Sequence, residues 1–172
     1  MSSINKFKWF WAWEDEKEEA WLTEMSENGY HLKSISFPGV YTFDTGASRN
    51  YVYRLDFNTD RKGYLEYLQL FQDAGWEHIG EYGSWQYFRT EAEAGEKPEI
   101  FTDNESKGKK YRRIMFFLIV FFPIYFFMFN NLHKAEGLFY EIATFVFFIF
   151  MLIYTYAMVM LLRRIEQLKK KL

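Results

Sequence analysis

Cysteine is absent from this sequence, and histidine occurs only three times. Without cysteine the chain has no disulfide framework and no thiolate metal site, which fits a reducing compartment. The sequence also lacks a HExxH zinc motif, a G-x-S-x-G nucleophile elbow, a P-loop and a dinucleotide-binding glycine pattern. We therefore expect no catalytic residue, no metal site and no cofactor, and a protein that is not an enzyme.

Two of the three histidines, His31 and His78, fall at near-equivalent places after Tyr30 and Trp76. A shared metal site would need further ligands that converge on the same point. A histidine in a strand more often faces solvent or fills the edge of a core, and we prefer that interpretation.

Positive charge is scarce in the first part of the chain and concentrated in the last part. Residues 1–106 contain 10 Lys and Arg against 20 Asp and Glu, a net charge of −10, whereas residues 107–172 contain 11 against 3, a net charge of +8. The overall charge of −2 describes neither part. An acidic domain repels phosphate, so we expect no nucleic-acid partner.

Two long apolar runs lie in the basic part of the chain. Residues 114–129 carry no charge, and residues 142–162 contain two threonines as their polar groups. About 20 mostly apolar residues in a helix cover the hydrocarbon core of a bilayer. A chain of 172 residues is too short to surround both runs with protein. We therefore predict transmembrane helices at residues 111–132 and 138–163.

Basic residues lie on the same side of both predicted spans. The loop between the spans contains only Lys134 as a Lys or Arg. The positive-inside rule therefore predicts a protein of the bacterial cytoplasmic membrane with both termini in the cytoplasm, in contact with inner-membrane lipid. Residues 91–110 form an acidic-to-basic linker, and residues 164–172 a basic cytosolic tail. The topology anchors are Lys109, Lys110, Arg112, Arg113, Arg163 and Arg164.

The acidic part repeats itself after 46 residues, as when Gly29 aligns with Gly75. Each copy is typical of a strand, a helix and a two-strand hairpin, at about residues 6–45 and 51–90. The alternating aromatic residues of "FKWFWAW" predict that the first strand covers residues 6–13.

These patterns predict an α+β class, with a duplicated β-α-β-β cytosolic domain at residues 1–90 followed by two transmembrane helices. The two domain helices are expected on one face of a largely antiparallel sheet. This order of elements resembles ferredoxin-like domains and the duplicated effector-binding domains of bacterial drug-responsive regulators. Such a resemblance concerns the fold and does not carry a function.

Four segments together resemble a bacterial family, the domain-of-unknown-function 2812 family. They read "FKWFWAW", "EEAWLTEMSENGYHLKSI", "YRLDF" and "LFQDAGWEHIGEYGSWQYFR". The resemblance implies appended hydrophobic spans and brings no catalytic residue or cofactor. It also implies genes beside PadR-type transcriptional regulators, and hence a role in sensing or envelope adjustment.

Aromatic residues make up 23% of the sequence. An aromatic surface with carboxylates suits a hydrophobic cation, and for such a ligand the candidate residues are Trp9, Trp11, Glu81 and Trp85. The more common alternative is that these aromatic residues are core and that Glu81 is solvated. The acidic run at residues 14–19 is interpreted as complementing the dipole of the first helix.

Three functions remain open at this point. The first is a membrane-anchored, non-enzymatic protein whose cytosolic domain binds a partner protein or an amphipathic ligand, in regulation or envelope response. The second is an accessory subunit of a membrane transport complex that acts through the hairpin of apolar helices. The third is an enzyme with an unrecognised site.

Overall fold

In the computed structural model the chain divides into two compact units, one up to residue 103 and one from residue 104 onwards. The structure describes residues 2–93, 96, 98–100, 104–132 and 137–170. The predicted α+β class with two long apolar helices is confirmed. The elements are β1 (Ser3–Phe7), α1 (Asp15–Glu27), β2 (Tyr30–Ser36), β3 (Val40–Thr45), β4 (Tyr51–Phe57), α2 (Tyr64–Asp73), β5 (Glu77–Tyr82), β6 (Trp85–Glu91), α3 (Asn104–Leu132) and α4 (Leu138–Lys169).

The strands of the first unit form two antiparallel sheets of three strands each, where a single sheet was expected. Their orders are β1-β3-β2 and β4-β6-β5, and β2 lies beside β5 where the sheets meet. Each half therefore has the same strand, helix, strand, strand order. The pairing shifts register between Leu32 and Ser34 in one half and between His78 and Gly80 in the other, again 46 residues apart.

Helix α1 joins the two halves of the domain. Its first turn carries Asp15, Glu16 and Glu18, whose charges complement the positive end of the helix dipole. Two of its polar side chains reach strand β4 of the other half. The Oε1 atom of Glu19 accepts a hydrogen bond from the Leu55 amide at 2.8 Å, and the Thr23 hydroxyl accepts one from the Tyr53 amide at 3.4 Å. Helix α1 thus satisfies amide groups of a strand in the second sheet.

The described residues of the domain form two hydrophobic clusters, on opposite sides of strand β4. Successive strand residues point to opposite faces, so odd and even positions enter different clusters. The larger cluster draws on both halves and contains Leu22, Met25, Leu32, Tyr41, Phe43, Tyr53, Leu55 and Tyr87. The smaller one lies under α2 and contains Val52, Phe71, Trp76 and Phe88.

The predicted strand over residues 6–13 is wrong beyond Phe7. After β1 the Lys8 amide donates to the Gly39 carbonyl at 3.1 Å, and the chain then leaves the sheet. A turn follows, in which the Glu14 amide donates to the Trp11 carbonyl at 2.8 Å. The rings of Trp11 and Trp13 stack with centroids 5.3 Å apart. The alternation of tryptophans therefore comes from ring packing in an irregular segment and not from strand geometry.

The second unit consists of two long helices that are apolar enough to cross a membrane. The candidate spans are Lys107–Asn131, with a mean hydropathy of 1.9, and Leu138–Lys169, with a mean hydropathy of 2.5. Only 6% of the most apolar stretch of each is buried, whereas a core helix of a soluble protein would be mostly buried. Helix α3 begins within the predicted linker, and α4 continues into the predicted tail.

Two tyrosines connect the long helices. The Tyr154 hydroxyl donates to the Leu118 carbonyl at 2.7 Å, and the Tyr125 hydroxyl donates to the Phe147 carbonyl. Both hydroxyls thereby gain partners on the facing helix, which an apolar surrounding requires. At the basic end, the Arg164 side chain donates to the Tyr111 hydroxyl at 3.3 Å.

The glycines that end α1 and α2 provide a matched pair for a stability test. Gly29 and Gly75 have φ values of 80° and 83°, where a residue with a Cβ is strained by about 1–2 kcal/mol. A Cβ on Gly29 would lie 2.5 Å from the Gly46 carbonyl oxygen, whereas one on Gly75 would meet nothing within 4 Å. We predict that Gly29→Ala lowers the free energy of unfolding more than Gly75→Ala does, by about 1 kcal/mol or more.

The measurement is denaturant unfolding of the full chain in detergent micelles, followed by tryptophan fluorescence. An equal decrease in the free energy of unfolding of the two variants would show that the Gly46 carbonyl does not restrict position 29.

Candidate functional site

The first unit contains an aromatic cavity of about 230 Å³ between the irregular segment after β1 and the strands β3 and β6. Both halves of the domain contribute to its wall. Its lining residues are Lys8, Trp9, Phe10, Trp11, Ala12, Asp15, Glu18, Pro38, Gly39, Tyr41, Tyr82, Trp85 and Tyr87.

A buried carboxylate lies in this aromatic cavity. Glu18 is 7% exposed, and its Oε1 atom accepts hydrogen bonds from the hydroxyls of Tyr41 and Tyr87, each at 2.7 Å. Tyr41 belongs to β3 of the first half and Tyr87 to β6 of the second half. A single oxygen atom of α1 therefore binds both sheets.

Burial changes the acidity of all three groups. The pKa of Glu18 is raised because burial removes water from the carboxylate, and the nearby charge of Asp15 adds to this effect. The hydrogen bonds from Tyr41 and Tyr87 act in the opposite direction. Burial also raises the pKa of Tyr41 and Tyr87, and the charge of Glu18 raises both further. Both phenols therefore remain protonated donors at neutral pH.

A second carboxylate lines the same cavity. Asp15 lies three residues before Glu18 in α1 and is 1% exposed. Residues three apart in a helix share a face, which here also carries Leu22 and Met25 of the core. Among the described residues, the cavity lining thus contains two buried carboxylates and one cation, Lys8.

The aromatic walls present several ring faces. Trp9 and Trp11 meet edge to face with centroids 5.8 Å apart, and Trp85 meets Phe57 in the same manner at 5.4 Å. The Lys8 ammonium lies 4.6 Å from the centroid of Trp21 and 5.2 Å from that of Phe10. The aromatic residues beside the cavity therefore already attract one cation of the protein itself.

The structure brings three of the four residues predicted for a ligand site to this cavity. Trp9, Trp11 and Trp85 line it, and Glu81 is not among the lining residues. Glu81 instead accepts hydrogen bonds from Arg61 at 2.8 and 3.4 Å and from Gln86 at 3.0 Å. The hydrogen bond from Arg61 is the largest cause of the lowered pKa of Glu81.

Sequence reasoning missed Asp15, Glu18, Tyr41 and Tyr87 as residues of the site. The two carboxylates belong to the acidic run that was interpreted as complementing the helix dipole. Their spacing with Leu22 and Met25 was a usable signal, because the four positions lie on one helix face. The tyrosines gave no comparable signal, since a strand tyrosine is typical of a core.

A second cavity, of about 340 Å³, lies where β2 is beside β5 and is lined by both His31 and His78. Their rings have protein partners: His31 bonds to Ser26 at 2.8 Å and to the Ala47 carbonyl at 2.9 Å, and His78 to Gln86 at 3.0 Å. Within the ranges that the structure describes, no group of three or more His, Asp or Glu side chains could hold a metal ion.

The predicted topology anchors lie near one end of each long helix. Lys109, Lys110, Arg112 and Arg113 are in the first turns of α3, and Arg163 and Arg164 are near the end of α4. The two basic clusters therefore flank the apolar stretches at matching ends of a helical hairpin.

A family model with the description "Protein of unknown function (DUF2812)" matches residues 14–123. The match begins just before α1 and ends within α3. It therefore includes the carboxylates and tyrosines of the aromatic cavity and leaves out Trp9 and Trp11. No curated protein and no solved structure matches this chain.

Replacing Glu18 by Gln tests the cost of its buried charge. The Gln side chain keeps an oxygen that accepts from both tyrosines. Because the folded-state pKa of Glu18 is raised, its stabilising contribution is complete below the unfolded-state pKa and is lost as pH rises through the folded-state pKa. A glutamine does not titrate, so Glu18→Gln should not lose stability in this pH range. In the wild type the loss is about 1.4 kcal/mol for each unit by which the pKa is raised.

The measurement is the free energy of unfolding of both chains in detergent micelles between pH 4 and pH 8, with ~0.1 M salt. The free energy of unfolding of Glu18→Gln, minus that of the wild type, should increase as the pH rises. A difference that does not change with pH would show that burial has not perturbed this group.

Proposed function

The chain belongs to the DUF2812 family, and we propose that it is a membrane-anchored, non-enzymatic bacterial protein whose N-terminal domain binds an amphipathic organic cation. The single observation that supports this proposal most strongly is the pair of buried carboxylates, Asp15 and Glu18, in a cavity walled by tryptophan and tyrosine.

An organic cation would offset the main electrostatic cost of the cavity. A carboxylate removed from water is costly unless it has a partner of opposite charge or strong hydrogen bonds. Two phenol donors meet part of this need for Glu18. A ligand ammonium beside Glu18 would add its positive charge to that of Lys8. The faces of Trp9, Trp11 and Trp85 would hold its apolar groups and attract its charge.

The volume of the cavity limits the ligand. Sites that enclose a drug-sized molecule hold about 300–1,000 Å³. A volume of about 230 Å³ accommodates an ammonium head with its substituents or a single ring. A longer apolar part of the ligand would lie outside, along the exposed faces of Trp9 and Trp11.

Ligand binding would also be linked to the packing of the two halves. The matching element order and the matching register shifts support our inference that the halves arose by duplication. The aromatic cavity requires residues of both copies, among them Tyr41 and Tyr87. A ligand that binds the assembled cavity stabilises the packed arrangement by mass action. Such coupling suits a role in regulation or envelope response, through a partner protein that recognises the occupied domain.

Binding is tested with phenyltrimethylammonium, whose neutral isostere is tert-butylbenzene. The full chain in nonionic micelles should bind the cation with a change in tryptophan fluorescence, and binding should weaken as pH falls through the pKa of Glu18. Glu18→Gln should weaken it about tenfold, which corresponds to about 1.4 kcal/mol. The matched control is Glu24→Gln, an exposed position of the same helix, where affinity should not change.

Two results would contradict the proposal. One is equal binding of the cation by wild type and Glu18→Gln. The other is equal affinity for tert-butylbenzene, which would show that the cavity selects shape and not charge.

We further propose that α3 and α4 span the cytoplasmic membrane with both termini in the cytoplasm, because the basic anchors flank the apolar stretches on one side. Fluorescent protein fused after residue 172 should fluoresce in cells, and alkaline phosphatase inserted at residue 134 should be active. Active phosphatase after residue 172 would reverse the proposed orientation.

A further inference from the structure

Four large apolar side chains beside the aromatic cavity are exposed, and we refer to them as the aromatic collar. Their exposed fractions are 66% for Phe7, 52% for Trp9, 39% for Trp11 and 81% for Phe37. Single exposed apolar residues are common on protein surfaces, whereas a group of aromatic residues marks an interaction site.

The collar is continuous in space although its residues come from two segments. The Lys8 amide donates to the Gly39 carbonyl at 3.1 Å, which holds the segment after β1 against the β2–β3 turn that carries Phe37. The Phe7 ring lies 3.9 Å from the place that a Cβ would occupy on Gly39. Trp9 and Trp11 contact each other and line the cavity.

Charge is absent from the segments that carry most of the collar. Residues 9–13 read "WFWAW" and residues 36–40 read "SFPGV". The nearby ammonium groups contact the domain itself: Lys6 lies 5.1 Å from the Tyr30 ring centroid, and Lys8 lies 4.6 Å from that of Trp21. The collar therefore presents tryptophan and phenylalanine without a charged side chain of its own.

We propose that the aromatic collar inserts into the interfacial layer of a lipid bilayer, so that the aromatic cavity opens toward lipid. This rests on the membrane anchoring proposed above. Tryptophan is enriched at membrane interfaces, and apolar surfaces with Trp and Phe bind there by burial at the boundary between headgroups and acyl chains. The same chain carries two helices apolar enough to cross a membrane, which keeps a bilayer available to the domain.

The charge of the domain indicates which lipid surface is suitable. The net charge of −10 over residues 1–106 opposes contact with anionic lipid. Binding must therefore come from apolar contact, and a zwitterionic phosphatidylcholine bilayer is the appropriate probe. A bilayer is also the phase in which an amphipathic cation accumulates, so the collar would place the cavity where its ligand is concentrated.

The tryptophans of this chain make the proposal directly measurable. All six lie in the first unit and none lies in α3 or α4: Trp9, Trp11, Trp13, Trp21, Trp76 and Trp85. Tryptophan fluorescence therefore reports on the domain and not on the helices that anchor it. Bromine on lipid acyl chains quenches tryptophan fluorescence by contact. Quenching therefore requires that a tryptophan reaches the boundary between headgroups and acyl chains.

The full chain is placed in nanodiscs that hold one chain each, made from phosphatidylcholine with or without bromine at acyl carbons 6 and 7. Bromine should quench the wild-type fluorescence. The double variant Phe7→Ser/Phe37→Ser keeps every tryptophan but loses two apolar side chains of the collar. It should lower the ratio of inserted to released domain about tenfold or more. The control is Leu65→Ser with Leu70→Ser, which are 79% and 67% exposed on α2. The control should be quenched like wild type.

The proposal is overturned if bromine does not quench the wild-type chain, or if the collar and control variants lose quenching equally. It is also overturned if the tryptophan fluorescence changes only when a disc holds several chains. The collar would then bind a second copy of the chain and not lipid. Retained binding of phenyltrimethylammonium in micelles would show that the proposed ligand site survives such a result.

Discussion

One carboxylate oxygen joins the two halves of the N-terminal domain. The Oε1 atom of Glu18 accepts hydrogen bonds from Tyr41 of the first half and Tyr87 of the second, and all three groups are buried. The next residue of α1, Glu19, binds the Leu55 amide of β4. Helix α1 is therefore shared by two sheets that have no ladder hydrogen bonds with each other among the described strands. The same charge that joins the halves is costly to bury, and this cost is the reason why we propose a cation as the ligand of the neighbouring cavity.

The aromatic residues of the chain divide into groups with different physical roles. Tyr53, Phe43 and Phe88 fill the core of the domain, and Tyr125 and Tyr154 join the two long helices. The remaining group, around residues 7–13 and 37, stays partly exposed beside two buried carboxylates. Family membership adds no chemistry to this picture, since the family itself is described as one of unknown function. The proposed roles in cation binding and in lipid contact therefore rest on the physical properties of this third group.

Much of the fold was predictable because it depends on local patterns. Helical spacing of apolar residues gave α2, the internal repeat gave α1, alternation gave the two hairpins, and glycine positions marked the ends of both helices. The segment after Phe7 was not predictable, since aromatic alternation has the same appearance in a strand and in a chain whose indole rings stack.

The candidate site was predictable in part. Trp9, Trp11 and Trp85 were identified by chemistry, whereas Glu18 was hidden within an acidic run whose charges have a sufficient local explanation at a helix start.

The sequence by itself determined the division into an acidic domain and a pair of long apolar helices, because charge and hydropathy belong to each residue whatever its neighbours in space. It also determined the two strand–helix–hairpin halves, which follow from the periodicity of apolar residues and from glycine at the turns. Only the tertiary structure decided that the strands form two sheets, that α1 joins them, and that Asp15 and Glu18 line one cavity with the distant Tyr41, Trp85 and Tyr87. Those relations depend on side chains separated by many residues, 69 in the case of Glu18 and Tyr87, and no local pattern carries contacts over such a separation.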